Sequence, residues 1–121
     1  MIVDDDRVVH TITSKILNSF EGTVLHCHDG REALELAQEL LPDLIVTDAL
    51  LPKLDGRELA RILKQSPDTR RVKIAVMTGL YKGPRYRAEA FRDFMVDAYL
   101  EKPIDAERLR SLVASVQPKA A

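Results

Sequence analysis

Cysteine is almost missing from this chain: Cys27 stands alone, so no disulfide can form within it. Its place in the run Thr23 to Cys27 reads as that of a small buried hydrophobe rather than a reactive thiol. Neither sign of charge is in excess: 18 basic and 19 acidic residues leave −1, which gives no general electrostatic case for binding nucleic acid. No apolar stretch approaches the roughly 20 residues of a membrane span, and no secretory leader precedes the first strand-like run. A cytoplasmic protein without membrane or nucleic-acid contacts is therefore expected. Internal repeats, low-complexity tracts and an internal linker are also lacking. What is present is 121 residues, 45% hydrophobic and 31% charged, enough for one domain with a real core. Residues 1–121 are expected to form that single domain, with 117–121 as a fraying tail or the start of a linker.

Short β-branched runs alternate with longer stretches of helical spacing, the pattern of an α/β fold on a parallel sheet. The strands are expected at Ile2-Val3, Thr23 to Cys27, Leu44 to Thr47, Lys73 to Met77 and Tyr99-Leu100. The first is short for a central strand, as if its beginning were clipped. Between them, Val9, Ile12, Ile16, Leu17 and Phe20 trace a first helical stripe, and Ala33, Leu34, Ala37 and Leu41 a second. Leu59, Ile62 and Leu63 mark a third helix, and Ala88, Phe91 and Met95 a fourth over Arg85 to Met95. Leu109, Leu112, Val113 and Val116 mark a fifth, capped by Asp105.

Four of the strand runs deliver polar groups at their carboxyl ends: Asp4-Asp5-Asp6, Asp48, Thr78-Gly79 and Lys102-Pro103. In an open parallel sheet those ends share one edge, where ligands bind. Carboxylates, a hydroxyl and an ammonium gathered there suit a divalent cation together with a phosphoryl group. Asp6 has no part in this chemistry and is read as the start of the first helix.

The ordered set Asp4-Asp5, Asp48 followed by Leu51-Pro52-Lys53-Leu54-Asp55-Gly56, then Thr78 and Lys102-Pro103, resembles the receiver domain of two-component response regulators, chemotaxis regulators among them. The resemblance covers essentially the whole chain. It implies a flavodoxin-like doubly wound α/β fold: a five-stranded parallel sheet, order 2-1-3-4-5, with five helices and a switch point between strands one and three. It implies Asp48 as the nucleophile that takes a phosphoryl group, with Mg²⁺ as cofactor. Asp5, Asp48 and the backbone carbonyl of Leu50 would be direct metal ligands, and Asp4 would act through a water. Thr78, Gly79 and Lys102 would bind the phosphoryl group, and Thr78 with Tyr99 would form the switch. Pro103 makes a cis peptide plausible at Lys102. The implied partners are a sensor histidine kinase or phosphotransfer protein, and an output partner or second copy at helix four, strand five and helix five. Such a module would promote its own phosphotransfer and dephosphorylation without being a metabolic enzyme.

Three other readings compete. A degenerate receiver used only for protein interaction would not need the intact acids, Thr78 and Lys102. A phosphatase of the haloacid dehalogenase type usually wants a second acid two residues after its nucleophile, where this chain has Leu50. A flavin binder would meet three acids where its phosphate loop should be.

The chain also departs from the pattern. Leu50 and Leu80 stand where many relatives carry polar groups able to orient an attacking water, so a long-lived aspartyl phosphate is expected. The loop Leu80 to Pro84 is about two residues longer than usual. Arg85 and Arg87 put positive charge at the start of helix four, against the helix-dipole preference. Met95-Val96 replaces a common Gly-Ala turn. His10, His26 and His28 lie in no phosphotransfer motif and are read as structural or surface residues.

Overall fold

The computed structural model describes residues 1–117; the expected tail beyond Gln117 lies outside the described residues. Ten elements alternate: β1 (Ile2–Val3), α1 (Arg7–Leu17), β2 (His26–Cys27), α2 (Gly30–Leu40), β3 (Leu44–Asp48), α3 (Gly56–Gln65), β4 (Lys73–Thr78), α4 (Pro84–Asp93), β5 (Ala98–Glu101) and α5 (Ala106–Val116). All strand pairs are parallel and the sheet order is β2-β1-β3-β4-β5. The expected fold class and order are therefore observed.

Because side chains alternate across a strand, the sheet feeds two cores. Val3, Ile45, Ile74, Val76 and Tyr99 pack with Ala33, Ala37, Leu59 and Leu63 from α2 and α3. Ile2, Val46, Ala75, Met77 and Leu100 pack on the opposite side with Val9 and Leu17 of α1 and Leu109 of α5. Cys27 is fully buried, and burial followed by its contact with Glu32 pushes its thiol up to about 12, so it behaves as a hydrophobe. Asp6, Asp29, Asp55 and Asp105 each accept a backbone N–H bond as N-caps of α1, α2, α3 and α5.

Several expected boundaries and faces are corrected. β2 pairs only at His26 and Cys27, because β1 offers it only Ile2 and Val3 as ladder partners. The inward line of α1 is Val9, Thr13 and Leu17, while Ile12 is exposed; the Thr13 hydroxyl is satisfied by donating to Val9 O at 2.8 Å. Leu41 lies past the end of α2 as a left-handed cap with φ 49° and is exposed. In α4 the inward residues are Ala90 and, just beyond it, Phe94; Ala88 and Phe91 face outward. Met95 is not helical, because the chain turns there with φ 58° toward β5. Among the described residues no helix is long and apolar enough to cross a membrane.

Candidate functional site

β1 and β3 are neighbours in register, Val3 opposite Thr47, so Asp4 and Asp48 leave the sheet side by side at its carboxyl edge. One carboxylate oxygen from each of Asp4, Asp5 and Asp48 lies within 4.8 Å of the other two. Asp4 is fully buried; its Oδ1 accepts from Asp6 N at 2.8 Å and its Oδ2 accepts from Lys102 Nζ at 2.8 Å. The same ammonium lies 3.6 Å from Asp48 Oδ2. Asp5 is exposed.

Burial pushes the Asp48 carboxyl up to about 6; the Lys102 charge opposes that rise, and the Asp4 and Asp5 charges add to it. Burial alone would lower Lys102, yet its bond to Asp4 and the charges of Asp48 and Asp4 hold it above the ordinary lysine range. One ammonium does not neutralise three carboxylates. The donor set is all hard oxygen and anionic, which fits a Mg²⁺-like cation.

The loop after β3 is held from two sides by glycines. A Cβ at Gly56 would lie 1.9 Å from the Asp48 carbonyl oxygen, and one at Gly30 would lie 1.9 Å from that of Leu54. Gly56 N also donates to Ala49 O at 2.8 Å, and Gly30 N to Pro52 O at 3.2 Å. Lys53 turns with φ 69° in this loop. The segment that follows Asp48 is thus locked onto α2 and α3, and Leu50 within it is 39% exposed.

Lys102 follows β5 and is tied to the end of β4 by its N–H bond to Thr78 O at 2.7 Å; the Lys102–Pro103 peptide is cis, as Pro103 made plausible. Thr78 is buried, and its Oγ1 accepts from Leu80 N at 3.1 Å and Tyr81 N at 2.8 Å. At Gly79 a Cβ would meet nothing nearer than Lys102 Cδ at 3.8 Å, so the edge is open there.

Tyr99 is buried in the middle of β5, and its hydroxyl donates to Tyr81 O. Burial raises that phenol above its ordinary range. Arg57, at the start of α3, lies 4.4 Å from the Tyr81 ring centre and 5.1 Å from that of Phe94. The β4–α4 loop is anchored by Glu101, which accepts from Gly83 N at 2.9 Å. Arg87 and Arg108 both donate to Tyr99 O, at 3.4 and 3.3 Å, across a groove between α4 and α5. Leu80 points out of the loop at 72% exposure.

Sequence reasoning did not foresee the roles of Tyr81 or Arg57, nor the meeting of the histidines. His10 Nδ1 lies 2.6 Å from His26 Nδ1, and the His10 ring centre is 4.7 Å from that of His28. The His-X-His alternation of 26 and 28 on an edge strand was the available signal.

A doubly wound sheet with three acids at its β1/β3 switch point and a lysine facing them defines a class of α/β protein built around one acidic cleft. The chain belongs to the response regulator receiver domain family of two-component signalling, whose model matches residues 1–114. It is 36% identical over 126 residues to the response regulator MprA of Mycobacterium bovis, covering 100% of this chain and 53% of the relative. The chain thus spans about half the length of the curated relatives it matches. Among solved structures, a Chloroflexus aurantiacus protein with a provisional response-regulator name superposes with a TM-score of 0.85 at 30% identity, over 95% of this chain and 93% of that one. The receiver domain of the sensor histidine kinase PA1611 of Pseudomonas aeruginosa superposes with a TM-score of 0.81 at 27% identity, covering 95% and 93%. That structure holds a magnesium ion in its active-site cleft.

Proposed function

We propose that Asp48 accepts a phosphoryl group from a phosphohistidine of a sensor histidine kinase or phosphotransfer protein, so that this receiver domain acts as a phosphorylation switch. The observation that carries this reading is the cluster itself: Asp4, Asp5 and Asp48 within 4.8 Å, with Lys102 Nζ against two of them. An Asp48 carboxylate oxygen attacks phosphorus in line, the N–P bond of the donor breaks, and the released imidazole takes a proton from water. Asp5, Asp48 and the Leu50 carbonyl would hold Mg²⁺, with Asp4 acting through a water. When bound, the ion neutralises charge on the transferring oxygens.

Lys102 pairs with the new phosphoryl charge as a compact cation. Thr78 turns its hydroxyl from the loop toward a phosphoryl oxygen, and the open space at Gly79 admits the group. Tyr99 answers through Tyr81, changing the face of α4, β5 and α5 where an output partner or a second copy would dock. A cytoplasmic location, and slow self-catalysed hydrolysis, belong to the same proposal.

Beryllofluoride, which mimics a phosphoryl group on a carboxylate, tests the reading. With Mg²⁺ it should occupy the wild type and fail on Asp48→Asn. Binding that survives the substitution would place the acceptor elsewhere, and no binding to the wild type would favour a degenerate, phosphorylation-independent interaction module.

A further inference from the structure

We propose that His10, His26 and His28 form a second cation site, beside the acids but chemically distinct, that takes a divalent transition-metal ion of the Zn²⁺ class. All the histidines of the chain meet there. They come from different elements: His10 from α1, His26 from β2, and His28 from just beyond β2, on the same side of that strand.

The hydrogen bonds fix the protons. A backbone carbonyl can only accept, so at the 2.7 Å contact with Asp4 O it is His10 Nε2 that carries hydrogen. In neutral His10 the lone pair is then on Nδ1, directed at His26 Nδ1 at 2.6 Å. His26 Nε2 faces Ser14 Oγ at 3.2 Å, a hydroxyl that can accept as readily as donate. Moving the His26 proton to Nε2 therefore leaves both Nδ1 lone pairs facing one point, with each opposite N–H held by an oxygen. That is how proteins orient metal-bound imidazoles, and an N–H bond to a backbone carbonyl is a common form of it. The change is a tautomer shift, so no proton need leave.

A tetrahedral ion with bonds of about 2.0–2.1 Å needs its nitrogens about 3.3 Å apart, so the two rings need part by less than about 1 Å. His28 is exposed, and its ring, already against His10, turns to supply a third nitrogen. A fourth position is left to water. Imidazole suits Zn²⁺, Ni²⁺ or Cu²⁺, while the acids suit Mg²⁺, so Mg²⁺ in excess can hold the acids while Zn²⁺ takes the histidines. The bond from His10 to Asp4 O joins them through a single peptide group.

Zn²⁺ titration of the full chain by calorimetry, in excess Mg²⁺ to occupy the acids, tests the site. The expected result is one Zn²⁺ per chain, weakened at least about tenfold in His26→Gln and in His28→Gln and unchanged in Asp48→Asn. Both histidines are at least partly exposed, so circular dichroism should show those variants folded; His10→Gln, at a buried position, is not relied on. Co²⁺ in place of Zn²⁺ should give visible absorption bands of nitrogen ligation that His28→Gln removes. Zn²⁺ binding that persists in both variants, that is lost in Asp48→Asn, or that is absent from the wild type would overturn the proposal.

Discussion

Thr78 and Tyr99 grip the two ends of one residue: the Thr78 hydroxyl accepts from Tyr81 N at 2.8 Å, and the Tyr99 hydroxyl donates to Tyr81 O. The end of β4 and the middle of β5 are thereby joined through a single loop residue whose ring lies under Arg57. A Thr78 hydroxyl drawn toward a phosphoryl group must release Tyr81 N, which frees the segment that Tyr99 holds. The Tyr99 ring is buried, and the loop residue it holds, Tyr81, is only partly so.

Tyr99→Phe removes one end of that link and keeps the buried ring. It should cost about 1 kcal/mol of stability, the net worth of one hydrogen bond. In the wild type, beryllofluoride should shift amide resonances between Phe91 and Leu112. In Tyr99→Phe those shifts should shrink while the ones beside Asp48 persist. Equal shifts in both proteins would show that Tyr81 carries no signal.

The metal-free protein should lose stability as pH rises from about 4 to about 6. Asp48 holds its proton up to about 6 when folded but releases it near 3.8 when unfolded. Over that window the folded state binds more protons, so stability falls with rising pH and the full penalty stands above about pH 6. Solvent screening at this partly exposed group limits the penalty to about 1–2 kcal/mol. Thermal melts across the window should show the slope in the wild type and a flatter line in Asp48→Asn. Asp5→Ala, which removes a neighbouring charge, should raise the metal-free melting temperature at neutral pH.

Gly56→Ala and Gly79→Ala should separate sharply. The first drives a methyl into the Asp48 carbonyl at 1.9 Å, so the phosphoacceptor loop must shift, at a cost of about 2–4 kcal/mol. The second meets only the flexible Lys102 stem at 3.8 Å and should leave the stability within about 0.5 kcal/mol of wild type. If phosphate enters at Gly79, that well-folded variant should still bind beryllofluoride more weakly. Chemical denaturation and beryllofluoride titration together check both halves.

Leu50→Asn with Leu80→Glu should hasten loss of the aspartyl phosphate. Neither leucine can hold a water in line with phosphorus, and one positioning bond worth about 1.4 kcal/mol in the transition state changes a rate tenfold. Leu80 is 72% exposed and Leu50 39%, so Leu50→Asn alone should carry more of the effect. A double variant that hydrolyses as slowly as the wild type, with Mg²⁺ affinity unchanged, would release the leucines from this role.

The alternation of elements, the strand carrying Asp48 and the cap at Asp105 were legible because each rests on local chemistry: β-branched runs, capping carboxylates and the φ limits of glycine and proline. The inward face of α4 was not. Its stripe can be drawn through Ala88 and Phe91 or through Ala90 and Phe94, and only the turn at Met95 decides between them. The length of β2 was hidden for a similar reason, since an edge strand extends only as far as its neighbour pairs. The convergence of Asp4, Asp5, Asp48 and Lys102 was readable once the strand order was supplied by family resemblance. The Tyr81 link and the meeting of His10 with His26 depend on contacts between residues up to 18 positions apart, for which no local pattern speaks; only the His26-X-His28 alternation could be read locally.

Intact-mass analysis after incubation with acetyl phosphate and Mg²⁺, followed by peptide mapping, addresses the phosphoacceptor most directly. The wild type should gain one phosphoryl group, on the peptide containing Asp48, and chelation of Mg²⁺ should abolish the gain. Asp48→Asn should gain none. A phosphoryl group on the Asp48→Asn chain, or an unmodified wild type that still binds Mg²⁺, would contradict the assignment of Asp48.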